Sequence, residues 1–199
     1  MKKNFTNNFI DEAKNALSLL DIKKIDSMAK ILSIIRKDRG RVFFLGVGGS
    51  GANCSHAVND FRKLCDIECY CPSDNVSELT ARVNDDGWDT SYLNWLKVSK
   101  FSKNDALFVF SVGGGDLKKN ISANLVKCVE EAKKIGSKVM GIVGKDGGYS
   151  KEVSDLVLLI PVVDEKLITP HTEGWQAVVW HLLVSHPKIA VNEMKWESV

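Results

Sequence analysis

The chain has 199 residues, of which 44% are hydrophobic and 26% charged, with a formal net charge of +2. That length fits one globular domain, residues 1–199, with a proper core. The balanced charge gives no sign of a nucleic-acid-binding surface. No apolar run approaches the ~20 residues of a membrane span, and no apolar stretch of a secretory signal follows the N-terminal lysines. We therefore expect a cytoplasmic protein with neither nucleic acid nor a membrane among its partners.

The five cysteines do not have the spacing of a disulfide framework or of a structural zinc site. Three of them, Cys65, Cys69 and Cys71, follow the pattern C-x3-C-x-C, whereas zinc sites commonly use C-x2-C pairs. We expect residues 66–71 to form a buried strand in which cysteine packs as a small apolar side chain.

The first forty residues predict two amphipathic helices, because apolar side chains recur there at helical spacing. Asp21 or a near neighbour can cap the second helix, and Gly40 is expected to end it. These helices form an extension, residues 1–40. Their apolar faces either lie on the following domain or form an interface between subunits.

From Arg41 onward, short apolar runs alternate with helical patterns. The predicted strands are 42–45, 67–71, 106–111, 138–143 and 156–161. The predicted helices are 51–64, 77–83, 92–98, 117–135 and 172–185. Strands that are apolar throughout and separated by helices predict a parallel sheet covered on both faces, hence an α/β core over residues 41–199. In such a sheet the ligand lies beyond the carboxyl ends of the strands.

The first glycine loop, G-V-G-G-S-G at 46–51, leaves a strand and opens a helix. Backbone N–H groups and the helix dipole make such a loop suited to an anion, most naturally a phosphate. It also matches the dinucleotide pattern G-x-G-x-x-G, but the acidic residue expected after the next strand comes late, at Asp74. The alternative without a ligand is a tight turn that lets the helix pack closely.

His56 and Asp60 stand four residues apart on the following helix and so share a face. Such a pair can bind a metal or act as acid and base on one substrate. The alternative is a solvated pair on an exposed helix.

Two further polar segments follow later strands. S-V-G-G-G-D at 111–116 allows close backbone approach to a ligand, with Asp116 as an ordinary helix N-cap, and G-K-D-G-G at 144–148 has the composition of a turn. Glu173 and His181 are eight residues apart, a rise of about 12 Å along a helix, so one metal reaches both only with a loose helix start or a second subunit. Trp175 and Trp180 are expected in the core or an interface.

Together, these motifs resemble the SIS-domain sugar-phosphate isomerases, and the phosphoheptose isomerases in particular. The resemblance implies a flavodoxin-like three-layer fold, in which helices flank a five-stranded parallel sheet. It also implies a homotetramer, or at least a dimer, with active sites between subunits. Zinc is the implied cofactor, and its implied ligands are His56, Asp60, Glu173 and His181.

The implied reaction converts sedoheptulose 7-phosphate to D-glycero-D-manno-heptose 7-phosphate through an enediol. Asp60 is the implied base, with Glu173 as its substitute, and His181 is the implied acid. The implied substrate-binding residues are Gly48, Gly49, Ser50, Asn84, Asp85, Ser111, Gly113 and Gly114.

This sequence departs from the family pattern at both loops. Val47 stands where the family has Asn, and Val112, Gly113 and Asp116 lack the hydroxyls of the family's phosphate loop. Two alternatives therefore stay open: an enzyme for another sugar phosphate or a sugar nucleotide, and a non-catalytic regulatory protein that binds a sugar phosphate.

Overall fold

The computed structural model describes residues 4–195, so the two ends of the predicted domain, 1–3 and 196–199, lie outside the described residues. The strands are β1 Val42–Leu45, β2 Cys69–Tyr70, β3 Ala106–Ser111, β4 Lys138–Val143 and β5 Leu156–Leu159. The helices are α1 Phe5–Ser18, α2 Ile22–Lys37, α3 Gly49–Cys65, α4 Val76–Asp86, α5 Trp88–Val98, α6 Ala123–Ile135, α7 Gly148–Val153 and α8 Ile168–Ser185, with a 3-10 turn at Glu165–Leu167 before α8.

The five strands form one parallel sheet in the order β2-β1-β3-β4-β5, which confirms the predicted fold class. β1, β3 and β4 have the predicted bounds, while β2 and β5 are shorter than predicted. β2 is an edge strand whose two residues pair only with Val42 and Phe43. Because all the strands run the same way, the loops that follow them gather at one edge of the sheet.

Helices cover both faces of the sheet, as the three-layer prediction required. Phe44, Phe108 and Phe110 pack on one face with α2, α3 and α8. Phe43 and Leu107 pack on the other with α5 and α6. Neighbouring strand residues thus point to opposite faces, and both are buried.

The two N-terminal helices differ in how deeply they pack. Asp21 caps α2, as predicted, by accepting the Lys24 N–H at 3.2 Å. That helix buries Met28 and Leu32 in the core, and it ends at Lys37, three residues before the predicted Gly40. In contrast, α1 has one buried residue among its described side chains, Ala16.

The predicted helix over 117–135 is wrong in its first six residues, because α6 begins at Ala123. The Asp116 carboxylate accepts the backbone N–H groups of Lys118 and Lys119 at 2.9 and 3.0 Å. Its backbone pairs with Ile121 in an antiparallel bridge. Asp116 therefore closes a tight turn instead of capping the helix, as had been predicted.

Other boundaries also differ from the prediction. The turn at 144–147 leads directly into a short helix, α7, that was not predicted. The helices α4, α5 and α8 begin earlier than predicted. The five thiols are free and buried, and burial raises the pKa of Cys65 to about 12. Across residues 4–195, every helix is too short or too polar to span a bilayer.

Candidate active site

The first glycine loop connects β1 to α3 and places the start of α3 at the carboxyl edge of the sheet. Gly48 has φ +61°, a conformation that L side chains rarely adopt. Gly46 lies so close to the Ser50 backbone that a Cβ there would overlap it, and its carbonyl accepts the Tyr92 hydroxyl at 2.9 Å. Ser50 is 1% exposed, and its Oγ has no hydrogen-bond partner among the described residues. The Ser50 hydroxyl is therefore buried at the start of α3 without a described partner.

Glu173 lies against this loop. Its carboxylate packs so closely on Gly49 that a Cβ at that position would collide with it. Asn53 of α3 donates to the Glu173 carbonyl at 3.0 Å and to Gln176 Oε1 at 3.1 Å. Gln176, which is fully buried, donates in turn to the Ile142 carbonyl at 3.3 Å. A carboxylate beside the first turn of α3 also has a favourable interaction with the helix dipole.

Further along α3, three side chains converge where that helix packs on α8. Ligand atoms of His56, Asp60 and His181 all lie within 4.8 Å of one another. The Oδ2 atom of Asp60 is 3.9 Å from Nε2 of His56 and 3.9 Å from Nε2 of His181. We call these three residues the HDH cluster. Glu173 is not part of this cluster in the described structure.

The hydrogen bonds around the cluster test whether a metal fits it. His181 Nδ1 lies 2.7 Å from the Ala177 carbonyl, which only accepts, so Nδ1 carries a proton and Nε2 is the ring nitrogen that faces the cluster. The Asn59 amide donates to Asp60 Oδ1 at 2.8 Å, which leaves Oδ2 toward the histidines. A cation between Asp60 Oδ2 and the two Nε2 atoms, at metal–ligand distances of about 2.0–2.2 Å, fits this donor set.

The HDH cluster lies on an open face above a buried aromatic ring. The side chains of His56 and His181 are 59% and 51% exposed, whereas that of Asp60 is 16% exposed. Trp180 is fully buried, with its ring centroid 3.5 Å from that of His181 and 4.7 Å from that of His56. The prediction had placed Trp180 in the core or an interface, and it is buried; its contact with His56 depends on how α3 and α8 pack, whereas His181 is its neighbour in sequence.

The second glycine loop is tied to the start of α7. Ser111 Oγ accepts the Gly114 N–H at 3.0 Å. The Gly114 carbonyl accepts the N–H and the hydroxyl of Ser150 at 2.9 and 2.7 Å. A Cβ on Gly114 would overlap the Gly147 carbonyl. The glycines of 111–116 and 144–148 thus serve close packing of two loops, a role beyond the turn predicted for 144–148.

A family model described as SIS domain matches residues 8–144. The chain belongs to the SIS-domain family. It is 32% identical over 158 residues to the lincomycin biosynthesis protein LmbN of Streptomyces lincolnensis, a match that covers 74% of this chain and only 56% of that protein. It is 30% identical over 154 residues to the phosphoheptose isomerase of a Nitratiruptor species, covering 75% of this chain and 76% of that enzyme.

The solved structure of a phosphoheptose isomerase from Neisseria gonorrhoeae has the same fold, with a TM-score of 0.78 at 22% identity over 90% of this chain and 95% of that one. The chain is a phosphoheptose isomerase-like member of the SIS-domain family, which confirms the predicted resemblance. The prediction of an enzyme of the isomerase class is confirmed with it.

Within this SIS domain, two of the other predicted binding residues, Gly48 and Gly113, line separate cavities, and two more lie at a helix end. A cavity of about 310 Å³ beside the first loop is lined by Val47 and Gly48 together with Trp88. A second, of about 370 Å³, is lined by Gly113 together with Lys118, Lys119 and Lys145. Asn84 and Asp85 lie on the exposed end of α4, joined by a hydrogen bond of 2.8 Å, and line neither cavity.

Proposed function

We propose that this chain is an aldose–ketose isomerase of sugar phosphates, and that it converts sedoheptulose 7-phosphate to D-glycero-D-manno-heptose 7-phosphate. The observation that carries the proposal is the HDH cluster, a metal-ligand set two turns along the helix that the glycine loop opens. Relatives named phosphoheptose isomerase support the substrate.

We assign metal binding to His56, Asp60 and His181 and proton transfer to Glu173. Three protein ligands leave a position open for substrate, as in catalytic zinc sites. When bound, zinc supplies Lewis acidity toward the substrate carbonyl and its neighbouring hydroxyl. Asp60 is better suited to this than to acting as the base, since both histidines face its free oxygen. His181 is assigned to the metal and not to the acid role, since its Nε2 faces Asp60 and its Nδ1 donates to the Ala177 carbonyl.

Glu173 can carry out both proton transfers of an enediol mechanism. Its carboxylate takes the proton from the carbon beside the carbonyl and returns it to the neighbouring carbon, while the hydroxyl proton moves between the two oxygens. The Ser50 hydroxyl and the N–H groups of the first loop are placed to hold the anionic end of the substrate. Ser111 Oγ accepts a loop N–H, which leaves its own O–H to donate to that end of the substrate.

The test is turnover of sedoheptulose 7-phosphate followed by NMR, with zinc content measured on the same samples. Glu173→Gln is expected to keep zinc and lower kcat by about 10²–10⁴-fold, the usual contribution of a general base. Asp60→Asn is expected to lose both zinc and turnover, and so is His181→Ala. Glu165→Gln, in the turn just before α8, is the matched control and keeps both. Full activity in Glu173→Gln would contradict the assignment of the base.

The alternative functions give different results in the same assay. If zinc binds but this sugar phosphate is not turned over, another sugar phosphate or a sugar nucleotide is the substrate. A non-catalytic sugar-phosphate-binding protein is favoured by one observation: the second loop, 111–116, has a single hydroxyl side chain, that of Ser111. That function predicts a ligand-induced rise in Tm without turnover of any sugar phosphate.

We also propose that the chain acts in the cytoplasm as a single domain, residues 1–199, that assembles into a homotetramer or at least a dimer. Phe5, Ile10 and Leu17 of the 1–40 extension are exposed, and so are Val178 and Leu182 beside the HDH cluster. A second copy on these apolar side chains would cover the open face of the site. Sedimentation measurements on Leu182→Asp test this: a smaller assembly with lower activity is expected.

A further inference from the structure

The first helix makes one specific contact with the start of α8. His171 is 4% exposed, and its Nε2 lies 2.9 Å from Oε2 of Glu12 in α1. The Phe9 ring stacks on the His171 ring with centroids 4.5 Å apart and an interplanar angle of 23°. An ionised carboxylate only accepts, so His171 donates the Nε2–H to Glu12. A mostly exposed helix thus covers a buried imidazole that is 159 residues away in sequence.

His171 lies in the turn that carries Glu173. The next residue, Thr172, is buried and packs so closely on Gly144, after β4, that a Cβ there would collide with it. On the α3 side, Asn53 bonds the Glu173 carbonyl and Gln176. This turn of α8 is therefore fixed by α3, by the end of β4 and, through His171, by α1. Of these three contacts, the one with α1 comes from a mostly exposed helix and not from the sheet and its core.

We propose that Glu12 and Phe9 are positioning residues, which act through His171 to hold the Glu173 carboxylate at the first glycine loop. The role given to Glu173 rests on the proposed function; the contact itself does not. Removing the Glu12 carboxylate leaves a buried N–H without its acceptor, so the turn must shift to find another. A misplacement of about 1 Å at a reacting group can cost about 10²-fold in rate.

The kinetic test compares Glu12→Ala with Glu12→Gln, which keeps an oxygen to accept the His171 N–H. Glu12→Ala is expected to lower kcat on sedoheptulose 7-phosphate by about 10–100-fold. KM and zinc affinity should change by less than about threefold, because the HDH cluster lies further along α3 and α8. Glu12→Gln should recover most of the rate. Lys14→Ala, an exposed change on the same helix, should behave as the wild-type protein.

A double variant separates positioning from general destabilisation. If α1 acts through Glu173, adding Glu12→Ala to Glu173→Gln should lower kcat no further than Glu173→Gln alone. Losses that multiply in full would overturn the proposal. So would an unchanged kcat in Glu12→Ala, because the contact would then be structural only.

Hydrogen exchange gives a readout that does not depend on activity. Glu12→Ala and Phe9→Leu should speed exchange in residues 168–176 and leave 177–185 close to wild type, with the Tm recorded for each variant. Unchanged exchange in 168–176 would overturn the proposal even if the enzyme is active. A different result is also informative: the wild-type protein turns over no sugar phosphate, but the variants show the expected exchange pattern. The proposed function would then be wrong, whereas the α1 contact would still be shown to order this turn of α8.

Discussion

Two polar clusters at different places in the molecule differ in how far their polar groups are hydrogen-bonded to each other. At the amino edge of the sheet, the Arg41 guanidinium donates to Asp105 at 3.0 and 2.8 Å and to the carbonyls of Ser99 and Lys100 at 2.8 Å each. Asp105 also accepts the N–H and the hydroxyl of Ser102. We call this the Arg41–Asp105 cluster. Its charges are matched and its oxygens are occupied.

The HDH cluster between α3 and α8 is built differently. Asp60 Oδ2 faces two imidazole nitrogens at 3.9 Å, too far for a hydrogen bond. Ser50, nearly three turns before Asp60 on the same helix, is buried, and its hydroxyl has no partner among residues 4–195. Polar groups that stabilise a fold are satisfied within the protein, whereas groups that bind a ligand are left to be satisfied by it. The comparison predicts that changes at the first cluster alter stability and changes at the second alter binding.

The largest effect expected is on stability, at the Arg41–Asp105 cluster. Asp105→Ala leaves the Arg41 guanidinium partly buried without its counter-charge, which typically costs about 3–5 kcal/mol of unfolding free energy. Urea unfolding measures it, and Asp38→Ala, an exposed position, should stay within about 0.5 kcal/mol of wild type. A loss below about 1 kcal/mol for Asp105→Ala would place this cluster among ordinary surface ion pairs.

The next effect is on metal-dependent stability, at the HDH cluster. Zinc at 100 times its Kd should raise the unfolding free energy by about 2.7 kcal/mol, less whatever the five unfolded thiols bind. A chelator should reverse the gain, and His56→Ala should abolish it. His186→Gln is the matched control, because His186 pairs with Asp26 away from the cluster. An equal gain in His56→Ala would show that zinc binds elsewhere.

Most of the fold could be predicted from the sequence because it depends on local signals. β3 and β4 are continuous apolar runs bounded by polar or glycine residues, and the structure reproduces their bounds. The start of α6 could not be predicted in this way. Residues 117–122 fit a helix locally, but the Asp116 side chain and its bridge to Ile121 hold them in a turn.

Helix spacing in the sequence predicted the proximity of only two of the three residues of the HDH cluster. The i, i+4 spacing placed His56 and Asp60 on one face of a helix, since that relation is fixed by helix geometry. His181 was named as a metal ligand only through the family resemblance, because its approach depends on how α8 packs on α3 and no spacing encodes it. For the same reason the contact of Trp180 with His56, and that of His171 with Glu12, came only from the structure.

A smaller effect is expected from pH at the Arg41–Asp105 cluster. Burial opposes ionisation of Asp105 and is the largest single influence, but hydrogen bonds from Arg41 and Ser102 together outweigh it and lower its pKa below the ordinary 3.8. Its contribution to stability is therefore complete above pH 3.8 and is lost as the pH falls below that value. Asp105→Asn should be less stable at neutral pH and should lose less stability on acidification. Urea midpoints measured from pH 6 to pH 2.5 check this, and parallel curves for both proteins would contradict it.

The smallest effect is expected at Ser50, on the same helix as His56 and Asp60 of the HDH cluster. A buried hydroxyl without a partner is a cost to the fold, so Ser50→Ala should raise the unfolding free energy, by about 1 kcal/mol at most. If that hydroxyl exists for the anionic end of the substrate, the same change should raise KM for sedoheptulose 7-phosphate by about 10-fold, the value of one hydrogen bond to a charged group. Urea unfolding and steady-state kinetics on one preparation measure the effect on stability and the effect on KM separately. A variant that loses stability and keeps its KM would mean that the Ser50 hydroxyl supports the fold and does not bind the substrate.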